Sequence, residues 1–187
     1  MSLPEEAART GMEHGALQKE SELAWLLRRY ATVVSGLGVL EIGSAGGGTL
    51  WAWTTLSPSS PVVSIDLPYK EYPELGPHLF PPGVRWIGED SHSTAAQNRL
   101  RSIHPTAFDL VFIDGDHSYA GAKLDFHDYL GWVRLGGLLA MHDIAPHSTD
   151  KLCFVHDFWR DEVVPNYETE EFIESPADWG GIGIVAL

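Results

Sequence analysis

The sequence predicts a doubly wound α/β domain on a mostly parallel sheet, and three observations carry that prediction. The apolar run Val39-Leu40-Glu41-Ile42 passes through a glycine cluster, Gly43 to Gly48, into Thr49-Leu50-Trp51-Ala52-Trp53, which contains no helix breaker. Further apolar runs, at 61–66, 84–90, 110–114 and 138–143, each end in an acid. Stretches of helical character separate most of them, and Leu110 to Ile113 is continuously apolar, as a strand buried on both faces must be.

With 187 residues, 44% of them hydrophobic, the chain can bury one good core, so one domain is expected. No run of 18 apolar residues occurs and residues 1–20 are polar and acidic, so a soluble, unexported, cytoplasmic protein is expected, without membrane partners. The single cysteine, Cys153, excludes an internal disulfide and a cysteine-based zinc cluster. A net charge of -14 argues against binding a nucleic-acid backbone and points to a small-molecule substrate.

Residues 1–20 show little periodicity and read as a flexible lead-in or lid before a domain spanning 21–187. From Ser21, Leu23, Leu26, Leu27 and Tyr30 recur at helical spacing, and Ser35-Gly36-Leu37-Gly38 ends that helix. The strand–glycine turn–helix that follows is a ligand cradle: glycines let the backbone approach a ligand, and helix-start N–H groups favour a negative group. No Lys follows the glycines, which excludes a Walker loop. Ala45 stands where a dinucleotide fingerprint starting at Gly43 needs a glycine. Glu41, at the carboxyl end of a buried strand, is best explained by a ligand that carries positive charge.

Asp66 ends the second strand about 20 residues after the turn, the place of an acid that accepts ribose hydroxyls; a plain turn residue before Pro68 is the alternative. Residues 69–82, rich in proline and aromatics, read as an irregular loop able to contribute substrate contacts. Asp90 and Ser91 follow the third strand, and Ser91 or Ser93 is also a candidate cap for the helix of 94–103. The fourth strand runs into Asp114-Gly115-Asp116-His117, and a helix over 120–133 follows it. Arg134-Leu135-Gly136-Gly137 closes that helix, before a fifth strand that ends in His142-Asp143. Adjacent parallel strands deliver their carboxyl ends to one crevice, so these acids and histidines can converge there. Residues 144–148 form a loop able to overhang the crevice, 150–163 a helix, 167–174 an antiparallel edge strand, and 181–187 the last strand. For His127, His147 and His156, partly exposed and unliganded side chains are expected.

With its acid, spacer and glycine turn, Glu41 to Gly48 resembles the first motif of the class I S-adenosylmethionine-dependent methyltransferases. The resemblance covers roughly residues 18–187 and implies a seven-stranded sheet whose last strand is antiparallel. It implies that Glu41 lies near the methionine end of the cofactor, that Gly43, Ser44 and Gly46 wrap its backbone, and that Asp90 and Ser91 border the adenine. In such folds the segment before the first helix can cover the cofactor. Met12, Gln18 and Trp25 are then candidate lining residues, against the preferred plain reading of Trp25 as core and Gln18 as solvated surface.

Residues 112–119 and 136–144 resemble small-molecule O-methyltransferases of the cephalosporin-hydroxylase-like and macrolide-sugar kinds, and more distantly the catechol type. Two readings of the cluster stay open. One is a divalent metal site, Mg²⁺ or another ion, on Asp114 and Asp143 with His142 or Asp116. The other is metal-free, with His117 as general base. In the catechol type an Asp-Asn pair binds metal; here neither His142-Asp143 nor Asp143-Ile144 supplies the amide. The expected function is methyl transfer from S-adenosylmethionine to an oxygen of a small molecule, with Asp114 beside both cofactor and acceptor. A nicotinamide-dependent oxidoreductase, a metal-dependent hydroxylase and a non-catalytic cofactor-binding module are the alternatives. Acceptor contacts are left to loops, the lead-in or a second subunit of a homo-oligomer.

Overall fold

The structure, a computed structural model, describes residues 1–68, 74–148 and 150–187. Seven strands form one sheet in the order β3-β2-β1-β4-β5-β7-β6. They are β1 Val39–Ile42, β2 Val62–Asp66, β3 Arg85–Gly88, β4 Phe108–Ile113, β5 Val133–His142, β6 Thr169–Phe172 and β7 Ile182–Ala186. The first five run parallel, and β7 lies antiparallel between β5 and β6, as the sequence predicts. Because β1 pairs with β2 on one side and β4 on the other, strand order reverses beside β1, which opens a crevice at the carboxyl ends.

Side-chain alternation divides the core in two. β4 sends Leu110 and Phe112 to one face, with Leu27 and Trp53, and sends Val111 and Ile113 to the other, with Leu100, Phe126 and Phe158. The first face is covered by α1 (Leu3–Glu13), α2 (Glu20–Ala31) and α3 (Gly48–Leu56). The second is covered by α4 (Thr94–Ile103), α5 (Tyr119–Leu130) and α6 (Val155–Phe158), which continues as a π-helical turn, Trp159–Val163. No described helix is long and apolar enough to cross a membrane.

Three expectations are corrected. Residues 1–20, expected as a flexible lead-in or lid of little periodicity, hold α1, which starts with a Ser2–Glu5 capping box and packs its buried Ala7, Ala8 and Gly11 on α2 and α3. The turn after α1 sits on the start of α3, where a side chain on Gly48 would come within 2.0 Å of the Ala16 nitrogen. Residues 134–137 do not close α5 but belong to β5, which begins at Val133 because that residue pairs with Phe108 ahead of a register shift. The helix expected from Asp150 begins at Val155, and the preceding segment is tied down by the Phe154 amide donating to the His117 carbonyl at 2.8 Å. The loop expected at 69–82 falls partly outside the described residues; its remainder includes a 3₁₀ turn, Pro77–Leu79.

At the amino end of β4, fully buried Asp109 fastens the α2–β1 turn. Its Oδ2 accepts from the amides of Ser35, Gly36, Leu37 and Gly38 at 3.0–3.2 Å, and its Oδ1 from the Ser35 hydroxyl at 2.5 Å and Arg134 Nε at 2.6 Å. Burial works to raise this carboxyl, but the Ser35 and Arg134 bonds prevail and hold it below the usual range.

Candidate active site

A crevice of about 1000 Å³ opens over the carboxyl ends of β1, β2, β4 and β5. The glycine turn forms one wall. Gly43 has φ 81°, and a side chain there would come within 2.1 Å of the Asp114 carbonyl, so the close approach of β1 and β4 requires glycine. Ala45 also has positive φ, 43°. Ser44 and Ala45 line the crevice, and their amides donate to Asp66 Oδ2 at 2.7 and 2.9 Å, so the β2 acid shapes the turn as well as facing the crevice. Gly46 does not itself line the crevice but lies next to Leu75, which does: a side chain on Gly46 would come within 3.6 Å of it.

Glu41 lines the crevice yet is 1% exposed and has partners within the protein: its carboxylate accepts from the Thr49 hydroxyl and, at 2.5 Å, from Trp53 Nε1. Burial pushes its carboxyl up to about 8, against the pull of those two bonds. At the β3 end, Asp90, Ser91 and His92 line the crevice; Ser93, not Ser91, caps α4 by accepting from the Ala96 amide at 3.0 Å. Behind them His92 Nε2 lies 3.1 Å from Oδ1 of fully buried Asp125, whose carboxyl burial raises to about 6. Neither residue of that pair is marked by a strand-end pattern; His92 is visible only as a neighbour of Asp90-Ser91.

At the ends of β4 and β5 four side chains meet. Asp114 Oδ1 lies 3.3 Å from His117 Nε2 and 3.1 Å from His142 Nδ1, and Asp143 Oδ2 lies 3.6 and 3.5 Å from the same two nitrogens. Burial would raise the Asp114 carboxyl, but the imidazoles of His142 and His117 hold it down to about 2. Hydrogen bonds to Asp114 and then to Cys153 lift His117 to about 11. Burial acts to lower His142, yet Asp114 and Asp143 carry it upward. Asp143, at the end of β5, adopts the left-handed backbone region, φ 59°, uncommon for a residue other than glycine. Asp116 lies apart from these contacts, its Oδ1 accepting from the Ser118 amide at 2.8 Å.

Whether this donor set suits a divalent ion is decided by its own atoms. Ligand atoms of Asp114, His142 and Asp143 all lie within 4.8 Å of one another. Asp143 Oδ1 is buried with no hydrogen-bond partner among the described residues; His142 turns Nδ1 to the two carboxylates and its buried Nε2 toward Gly180. Two carboxylates and an imidazole facing one point fit such an ion.

The segment before α2 completes the opposite wall. Gln18, 3% exposed, donates from Nε2 to Asp114 Oδ2 at 2.6 Å, so it is a lining residue and not solvated surface. Met12 and Trp25 are not: Trp25 stacks on Phe172 at 5.9 Å, and Met12 packs against the α1–α3 core. Two further residues escaped sequence reasoning. Fully buried Glu22 accepts from the amides of Glu174 at 3.0 Å and Gly181 at 2.9 Å, and Lys19 donates to the Trp179 carbonyl at 2.6 Å. Together they hold Trp179 in the crevice wall, 6.2 Å from His142.

A sheet ordered 3-2-1-4-5-7-6 with β7 reversed, opening a lined crevice at its switch point, is a Rossmann-like methyltransferase fold. The chain belongs to the methyltransferase domain family, whose model matches residues 40–144. Solved structures agree on the fold. The MycE methyltransferase of the mycinamycin biosynthetic pathway, crystallised with Mg and SAH, superposes with TM-score 0.67 at 18% identity, over 99% of this chain and 54% of that one. The O-methyltransferase from Bacillus cereus in complex with SAH gives 0.63 at 19% identity, over 100% and 91% of the two chains. A putative caffeoyl-CoA O-methyltransferase from Staphylococcus aureus gives 0.62 at 19% identity, over 98% and 91%. The chain spans about half the length of the mycinamycin enzyme.

Proposed function

We propose that the protein transfers the methyl group of S-adenosylmethionine to an oxygen of a small molecule, assisted by a divalent ion. The observation that carries this reading is the carboxylate–imidazole cluster beside the glycine turn, at the switch point of a methyltransferase sheet. Solved relatives of the same fold hold SAH, and one holds Mg and mycinamycin VI beside it.

Asp66, at the crevice end of β2, accepts the ribose hydroxyls. Asp90, Ser91 and His92 border the adenine. The cationic methionine end lies toward Glu41, where its charge favours the ionised carboxylate. Gln18 holds Asp114 from the far wall, so the acceptor oxygen is presented to the methyl from a fixed direction, and alignment supplies much of the rate. A divalent ion on Asp114, His142 and Asp143 would lower the pKa of the acceptor hydroxyl and fix its oxygen. The acceptor hydroxyl gives its proton to solvent, attack by its oxygen forms the oxygen–carbon bond as the carbon–sulfur bond breaks, and the neutral thioether leaves.

In a second reading, without metal, His117 is the candidate base because it is the most exposed of the four, with 37% of its side chain accessible at the crevice; its imidazole, raised to about 11 beside Asp114, would first have to give up its own proton before taking one from the acceptor. Calorimetric titration of S-adenosylmethionine and SAH, with chelator and then with added divalent ion, tests the proposal. Both should bind the wild-type chain and fail to bind Asp66→Ala; binding of neither ligand under any metal condition overturns it. Methyl transfer that survives chelation would favour His117 as base.

A further inference from the structure

The turn that follows β3 is gripped by α5 at two points. Asp125 and Tyr129, four residues apart and so on one face of that helix, both reach it. The Tyr129 hydroxyl donates to the Ser91 carbonyl at 2.7 Å and holds the main chain, while Asp125 Oδ1 stands 3.1 Å from His92 Nε2 and faces the ring. Asp125 is fully buried beside Gly115, where an added side chain would come within 3.1 Å of its Oδ2. A carboxylate placed there needs donors, and the Ser91 side chain and the Asp116 main chain face it along with the imidazole.

His92 has a second acidic neighbour, Asp90, whose Oδ1 lies 3.7 Å from Nδ1. Asp90 is exposed and already accepts from the His92 amide at 2.9 Å. The nearer, buried carboxylate attracts the ring proton more strongly, since water screens Asp90. An imidazole with its proton on Nε2 keeps a lone pair on Nδ1. With 22% of the side chain exposed but Nε2 buried, the polar atom left to a ligand in the crevice is Nδ1.

We infer that Asp125 is a positioning residue: it fixes His92 with Nε2 inward, so that Nδ1 accepts from the exocyclic amine of the cofactor's adenine and the site rejects a deaminated base. The inference rests on the S-adenosylmethionine reading above and extends it to a residue of α5 that acts through another. Adenine offers an N–H donor at that position; hypoxanthine offers a carbonyl oxygen, whose lone pairs would oppose that of Nδ1. Tyr129 holds the turn without Asp125, so the acid's part is the ring.

The test is calorimetric titration of the full chain with SAH and with its deaminated counterpart, S-inosylhomocysteine. It is run at pH 8, above the value of about 6 to which burial lifts the Asp125 carboxyl. The wild type should bind SAH at least about tenfold more tightly, the worth of one hydrogen bond made against one opposed. His92→Ala should lose about tenfold in SAH affinity and none for S-inosylhomocysteine. Asp125→Ala leaves the ring free to turn over and should narrow the preference to within about threefold. Retained S-inosylhomocysteine binding shows that a variant is folded. Equal affinities in the wild type, or a preference that either substitution leaves in place, would overturn the inference. A nitrogen–proton correlation spectrum of the wild type needs no variant: a proton on His92 Nδ1 instead of Nε2 at pH 8 would overturn it too. If SAH binds without base preference, this assignment falls alone; if SAH does not bind the wild-type chain, the functional reading falls with it.

Discussion

β4 carries an aspartate at each end of its length, and the two are held in opposite ways. Asp109 is saturated chiefly by donors that cannot leave, four main-chain amides, joined by a serine hydroxyl and a guanidinium from a neighbouring strand. Among the described residues Asp114 has only side-chain partners, Gln18, His117 and His142, and beside it Asp143 Oδ1 is buried with none. A carboxylate locked by backbone builds scaffold. One held by side chains that can change partner is free to take a ligand. Burial alone does not separate them, since both are deeply placed; the kind of donor does.

The contrast is broken most directly at Asp109. Asp109→Ala leaves Arg134 and four amides without their acceptor and should cost about 3–5 kcal/mol of stability, read from the urea midpoint. An unchanged midpoint would erase the distinction. In the wild type this contribution is present above the ordinary carboxylate range and is lost as pH falls into the acid range, because the folded-state pKa is depressed.

Glu41, one strand over, extends the comparison with the opposite sign. Its carboxyl is raised by burial from 4.5 to about 8, so the native state keeps a proton that the unfolded chain releases. Stability should therefore fall by a few kcal/mol as pH rises between those values, and Glu41→Gln should flatten that dependence. Denaturation curves at several pH values across the window decide it; parallel slopes in both proteins would mean that Glu41 is not the group responsible.

At the crevice the effects should appear in activity. Asp114→Asn keeps an oxygen for Gln18, so stability should move by less than about 1 kcal/mol while methyl transfer falls about 100-fold or more. A loss of stability as large as that of Asp109→Ala would make Asp114 scaffold too. The smallest effect is expected at the β2 acid: Asp66→Asn should weaken S-adenosylmethionine about tenfold, read by calorimetry, since the amide keeps one acceptor but loses charge.

The strands and their order were legible because apolar runs ending in acids are local features. β1, β2 and β4 lie where their runs stand, and Asp114, His142 and Asp143 converge as the rule for parallel strand ends requires. What lay hidden depends on distant partners. α1 buries Ala7, Ala8 and Gly11, small residues whose fit to Gly48 and Ala52 of α3 is written in neither segment alone. Gln18 and Glu22 are polar residues on a helix start and look solvated until the β4 end and the 174–181 segment close over them. The reach of β5 back to Val133 follows from its pairing with Phe108, against local glycines that suggest a turn.

The seat of α1 on α3 has a consequence for how the chain is made. Gln18 leaves the ribosome early, but Asp114 follows it by 96 residues, and the wall that joins them can close only after β4 has emerged and paired with β1. The first helix made can settle on α3 at once, whereas the crevice it borders is finished only when the fourth and fifth strands arrive. A ribosome-bound fragment ending before β4 should therefore hold α1 docked on α3 beside a half-built crevice that cannot yet retain a cofactor.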